Sequence, residues 1–148
     1  MPRYKWDISD LLFEEDVRKM FDLASGNKDT YGMRSLALFW LTGARTTEAV
    51  MLVKENFVVD ENLLSITIPT LKLGKSKDFK VKDRTLQFER TSGLQTNIYI
   101  EYIIQQLERV LPNEKFLPYT SRWVEWKIGE LSKKALNKSM CPYHFRHS

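Results

Sequence analysis

The chain has 148 residues, 43% hydrophobic and 28% charged, enough to bury a core and ordinary for a single globular domain. No apolar run approaches the length of a bilayer span, and the opening residues MPRYKWDISD lack the apolar stretch of a signal peptide, which argues against membrane and secreted classes. The one cysteine, Cys141, excludes an internal disulfide and a cysteine-rich zinc site, making an intracellular, cytoplasmic setting the default; the net charge of +4 is compatible with a nucleic-acid partner without requiring one.

The segment SDLLFEEDVRKMFDLASG predicts a first helix. Val17, Met20, Phe21 and Ala24 recur at three- and four-residue spacing, acidic residues fill the first turn, and Gly26 closes it. A second helix over 30–41 is apolar almost all round in its later half, which marks it as central. Thr42-Gly43-Ala44 breaks it, and a short third helix starts near Arg45, carrying Ala49, Val50 and Leu52 inward. Period two then takes over. Leu64, Ile66 and Ile68 alternate with polar residues or proline as one strand, Leu73-Gly74-Lys75-Ser76 turns the chain, and 79–88 returns as a second strand. A fourth helix is expected over about 94–110, with Ile98, Tyr102, Ile103 and Leu107 on one face. A fifth runs from an N-cap at Ser121 to about Leu136, with Trp123, Trp126, Ile128 and Leu131 available for burial. Pro142 opens a last helix. With no repeats or linker, residues 1–148 read as one α+β domain, mostly helical, with one small antiparallel sheet.

The residues able to do chemistry lie in three places. Arg45 follows the glycine break at a helix start, so backbone geometry rather than a floppy loop aims its guanidinium; Glu48, one turn on, is placed to brace it. Arg146 sits in the last helix between His144 and His147. Two arginines converging on one phosphate would offer forked donors to its non-bridging oxygens and favour a pentacovalent transition state. Between them, residues 72–90 hold seven basic side chains against three acidic ones. Lys72, at the strand end, can donate a proton to a leaving-group oxygen, and Lys75 and Lys77 suit contacts to a DNA backbone, although lysine protection of a sheet edge would look the same. Two histidines within four residues, with no further His or Cys cluster, do not make a metal site. Cys141 reads as an inert, partly buried thiol, and Trp123 and Trp126 as core residues.

This combination resembles the catalytic domain of tyrosine recombinases, the phage-type integrases. LTGARTTEAVMLVKENF is similar to the family's first arginine box, TLKLGKSKDFKV to its strand-turn-strand lysine segment, and PYHFRHS to its second box. The resemblance implies catalytic roles for Arg45, Lys72 and Arg146, with Lys75 as the fallback lysine, DNA contacts from Lys75, Lys77 and His147, and Glu48 in support. It departs from the pattern at Tyr143, which stands in the catalytic position where the family usually has histidine; there it could hydrogen-bond the phosphate or the nucleophile but would be a poor base at neutral pH. His144 is one step, about 100°, round the helix and cannot simply substitute.

The resemblance further implies double-stranded DNA as partner, tetramers on DNA in an intact protein, and chemistry through a 3′-phosphotyrosyl intermediate with neither cofactor nor metal. The family's nucleophilic tyrosine follows the second box by some tens of residues, and its DNA-clamping domain precedes the first helix. Residues 1–148 are therefore expected to act as a catalytic-core fragment that binds DNA weakly and does not cleave it. The alternatives are a non-catalytic DNA-binding or regulatory remnant of a recombinase, and an unrelated helical domain in which Arg45, Lys72 and Arg146 are scattered.

Overall fold

The computed structural model describes residues 11–70, 82–91, 93 and 96–145. Helix α1, Glu14–Gly26, begins with Glu14, Glu15 and Asp16 at the positive end of its dipole, and Asp16 Oδ2 accepts from the Phe13 N–H at 3.1 Å. Its Val17, Met20, Phe21 and Ala24 are buried, as the spacing predicts. Helix α2, Thr30–Thr42, starts at Asp29, whose Oδ1 accepts from the Gly32 N–H at 3.0 Å. Gly32 permits this cap, since a Cβ there would lie 2.5 Å from Asp29 Oδ2. Every residue from Arg34 to Phe39 is buried, and α2 packs against α1 and the two long helices that follow.

After helix α3, Thr46–Ala49, a 3-10 turn at Lys54–Asn56 leads into a sheet of order β1-β2-β3, all antiparallel. Its strands are Phe57–Val59, Leu63–Thr70 and Lys82–Glu89. β1 is an addition to the two strands expected; three residues, with only Phe57 buried, carry too little alternation to register as a strand. In β2, Leu64, Ile66 and Ile68 are fully buried, facing Phe88, Leu86 and Arg84 of β3.

Helix α4, Ile98–Leu107, is capped by Asn97, which accepts from Tyr99 and Ile100 N–H. Tyr99 and Ile100 are buried alongside Ile103 and Leu107, while Ile98 and Tyr102 are only partly buried. Helix α5, Ser121–Leu136, is capped by Thr120, one residue before the expected cap; the Thr120 hydroxyl accepts from the Trp123 N–H at 3.2 Å. Its buried stripe is Val124, Ile128 and Leu131. Trp126 is not a core residue: it is 56% exposed, and with Trp123 it covers the Lys127 ammonium instead. Helix α6, Pro142–Phe145, closes the described chain. The architecture is α+β, mostly helical with one small sheet. Among the described residues no helix is long and apolar enough to cross a membrane.

Candidate functional site

Arg45 owes its position to how α2 ends. The Thr42 hydroxyl donates to the Leu38 carbonyl at 2.7 Å and accepts from the Ala44 N–H at 3.1 Å. Gly43 takes a left-handed conformation, φ 59°, and its N–H closes on the Phe39 carbonyl at 2.9 Å. The chain thereby stops, turns and restarts within three residues, leaving Arg45 as the extended residue that caps α3. Its side chain is exposed, while its backbone is fixed. The Arg45 carbonyl accepts from Ala49 at 2.9 Å, and its N–H donates to Glu48 Oε1 at 2.9 Å.

Glu48 therefore braces Arg45 through the main chain. It is fully buried, and its Oε1 also lies 3.4 Å from Arg84 Nη2 on β3. A buried carboxylate is costly without a donor and a counter-charge, and here it has both.

Tyr143 arrives from the other end of the chain. Pro142 and Phe145 are buried and anchor α6; the Phe145 ring meets that of Phe39 in α2, centroids 6.0 Å apart. Tyr143, between them, is half exposed. His144 is engaged locally: its Nδ1 accepts from the Cys141 N–H at 3.0 Å and lies 3.3 Å from Cys141 Sγ, so it caps its own short helix. Cys141 is half-buried.

These two ends meet. Ala44, Arg45 and Thr46 on one side, and Pro142 and Tyr143 on the other, line an open groove of about 350 Å³, with Glu125 of α5 completing its wall. Arg45 and Tyr143 are nearly a hundred positions apart in sequence, yet share one surface. Lys72, Lys75, Lys77, Arg146 and His147 lie outside the described residues. Two neighbours of the site escaped sequence reasoning. Glu125 carries no motif. Arg84 does leave a trace, as a charged residue in step with Leu86 and Phe88 in the alternation of β3. Among the described residues no cluster of His, Cys, Asp and Glu could hold a metal ion.

Neither a family model nor a curated protein matches the sequence. Solved structures do match. One is the XerH site-specific recombinase bound to its difH substrate in a pre-cleavage complex, with a TM-score of 0.63 over 99% of this chain at 16% identity. The fold is tyrosine-recombinase-like. A second structure, XerH on a palindromic difH substrate in a post-cleavage complex, aligns with 93% of this chain at a TM-score of 0.60 and 17% identity. The chain spans 45% and 40% of the lengths of those two proteins.

Proposed function

We propose that these residues form the phosphate-holding core of a site-specific tyrosine recombinase, which cuts and rejoins duplex DNA. The observation that carries this reading is the groove, where Arg45 and Tyr143 from two distant segments meet, within a fold whose solved neighbours are recombinase–DNA complexes.

In the proposed reaction Arg45 and Arg146 hold the non-bridging oxygens of the scissile phosphate. A tyrosine hydroxyl attacks phosphorus and releases its proton to solvent, a 3′-phosphotyrosyl bond forms, and the bond to the 5′-oxygen breaks. Lys72 delivers the proton that this oxygen takes up. A 5′-hydroxyl from a second strand reverses the step, so bond energy is conserved without ATP or metal. Tyr143 serves as a hydrogen-bond donor to the phosphate through its phenol hydroxyl and not as a base. Lys75, Lys77 and His147 contact the DNA backbone, and Glu48 keeps Arg45 in register. On this reading the attacking tyrosine is none of those within residues 1–148, and these residues by themselves bind duplex without cutting it.

The test has two arms. Fluorescence anisotropy with labelled duplex should show salt-dependent binding that Arg45→Ala weakens roughly tenfold, the value of one charge-assisted phosphate contact. Incubation with a nicked suicide duplex should give no covalent adduct on a denaturing gel. Unchanged affinity in the Arg45 variant rejects the clamp, and an adduct rejects the outside nucleophile.

A further inference from the structure

We infer that Arg84 is a positioning residue, which locks the sheet to the helix carrying Arg45 through the buried carboxylate of Glu48. The inference rests on the clamp reading above and extends it to a residue outside the recombinase-like motifs.

Arg84 stands opposite Ile68, which is fully buried, and residues directly opposite in an antiparallel pair project to the same face. Along β3 the inner positions are Arg84, Leu86 and Phe88, each partly buried, while Asp83, Thr85, Gln87 and Glu89 are exposed. Among the described side chains of this row, Arg84 is the one cation, next to Leu86 and Phe88. What it reaches explains it: Nη2 lies 3.4 Å from Glu48 Oε1, on a side chain 1% exposed, and the same oxygen holds the Arg45 N–H at 2.9 Å. One carboxylate oxygen therefore joins β3 to the N-cap of α3. In sequence, β3 follows directly on the segment bearing Lys72, Lys75 and Lys77. Fixing β3 against α3 holds the N-cap of α3 to the sheet, so that Arg45 keeps its place in the groove.

A coupling experiment on the full 148-residue chain tests this. Duplex affinity and its salt dependence are measured for wild type, Arg45→Gln, Arg84→Gln, Glu48→Gln and the double variant Arg84→Gln/Glu48→Gln, with melting followed by circular dichroism. A glutamine at position 48 keeps an acceptor for the Arg45 N–H but needs no cation. Arg84→Gln should weaken binding roughly tenfold when Glu48 is present and less than about twofold in the Glu48→Gln background, in line with coupling between contacting residues. Glu48→Gln should also restore most of the melting temperature lost in Arg84→Gln.

If Arg84 instead touches DNA directly, Arg84→Gln costs the same in both backgrounds and lowers the salt slope by about 0.9; that result overturns the inference alone. If Arg45→Gln leaves affinity unchanged, the clamp reading fails and the inference with it.

Discussion

Replacing Arg34 by methionine should cost about 3 kcal/mol of folding stability, and the structure shows where that figure comes from. Arg34 lies in the middle of α2, 5% exposed. Its Nε donates to Gln106 Oε1 and its Nη1 to the Phe116 carbonyl, both at 2.9 Å. Its guanidinium carbon sits 4.8 Å from the Tyr31 ring centroid and 5.1 Å from that of Phe116. Hydrogen bonds to a charged donor contribute about 1.5–3 kcal/mol each, and a buried cation–π contact adds about 0.5–2. Against this stands the desolvation of the guanidinium, which pushes its pKa below the usual arginine value. Methionine removes that penalty but leaves Gln106, itself 4% exposed, and the Phe116 carbonyl without their donor. The net of roughly 3 kcal/mol corresponds to a melting temperature lower by about 6–12 °C for a chain of this size. Adding Gln106→Leu should recover part of the loss, because removing both partners of a buried hydrogen bond is milder than removing one. Urea titrations monitored by circular dichroism give the stability change and thermal melts the shift, with an unchanged m-value expected. A variant melting within about 2 °C of wild type would refute the reasoning.

Other sites make sharper demands on function and pH. Glu125 lines the groove beside Arg45 and Tyr143, where its charge opposes a phosphate; Glu125→Gln should tighten duplex binding about two- to fivefold at low salt, read by anisotropy, with the gain vanishing as salt rises. Burial raises the phenol pKa of both Tyr99 and Tyr102 above the ordinary value of 10.0. The native state therefore holds those protons where the unfolded chain releases them. The stability they confer is complete below about pH 10 and is lost as pH climbs towards the raised values, and Tyr99→Phe should flatten the alkaline fall in melting temperature. Gly43→Ala should cost about 1–2 kcal/mol through its left-handed φ of 59°, measurable by urea unfolding, whereas the same change at Gly26, where a Cβ meets nothing, should not.

Much of this fold was legible because its helices announce their own limits. Acidic first turns, the Gly26 and Gly43 stops and the three-four spacing of Val17, Met20, Phe21 and Ala24 are local signals, and the helices formed where they point. The misses are tertiary. β1 exists because Phe57 pairs with Ile66, not because its three residues prefer a strand. Trp126 points outward because Val124 and Ile128 already occupy the buried stripe of α5. Nothing in the sequence marks Arg34 for burial, and only the approach of Gln106 and Phe116 from distant segments makes it tolerable. At the site, Arg45 was readable from the glycine break and Tyr143 from the second box. That these two share one groove was legible in neither motif, because it depends on how α6 packs back on α2.

Both halves of that groove are referenced to one helix. Arg45 follows three residues after α2 ends, and Tyr143 is held through Phe145, whose ring rests on Phe39 of α2. The two attachments differ in strength. Arg45 is joined covalently and capped by a buried carboxylate, whereas α6 is four residues long and depends on the burial of Pro142 and Phe145. A helix that short does not hold together by itself, so its stability is that of its packing. Phe145→Ala should release α6 locally before it unfolds the domain. Hydrogen exchange should then speed up at the amides of Cys141 and His144, which bond to the His144 ring and the Cys141 carbonyl at 3.0 Å, while Gly43 and Ala49 stay protected. Duplex affinity should fall together with that exchange, because the groove loses Tyr143 and keeps Arg45. If the α6 amides exchange faster and affinity does not change, Tyr143 contributes nothing to phosphate binding and the clamp is one-sided.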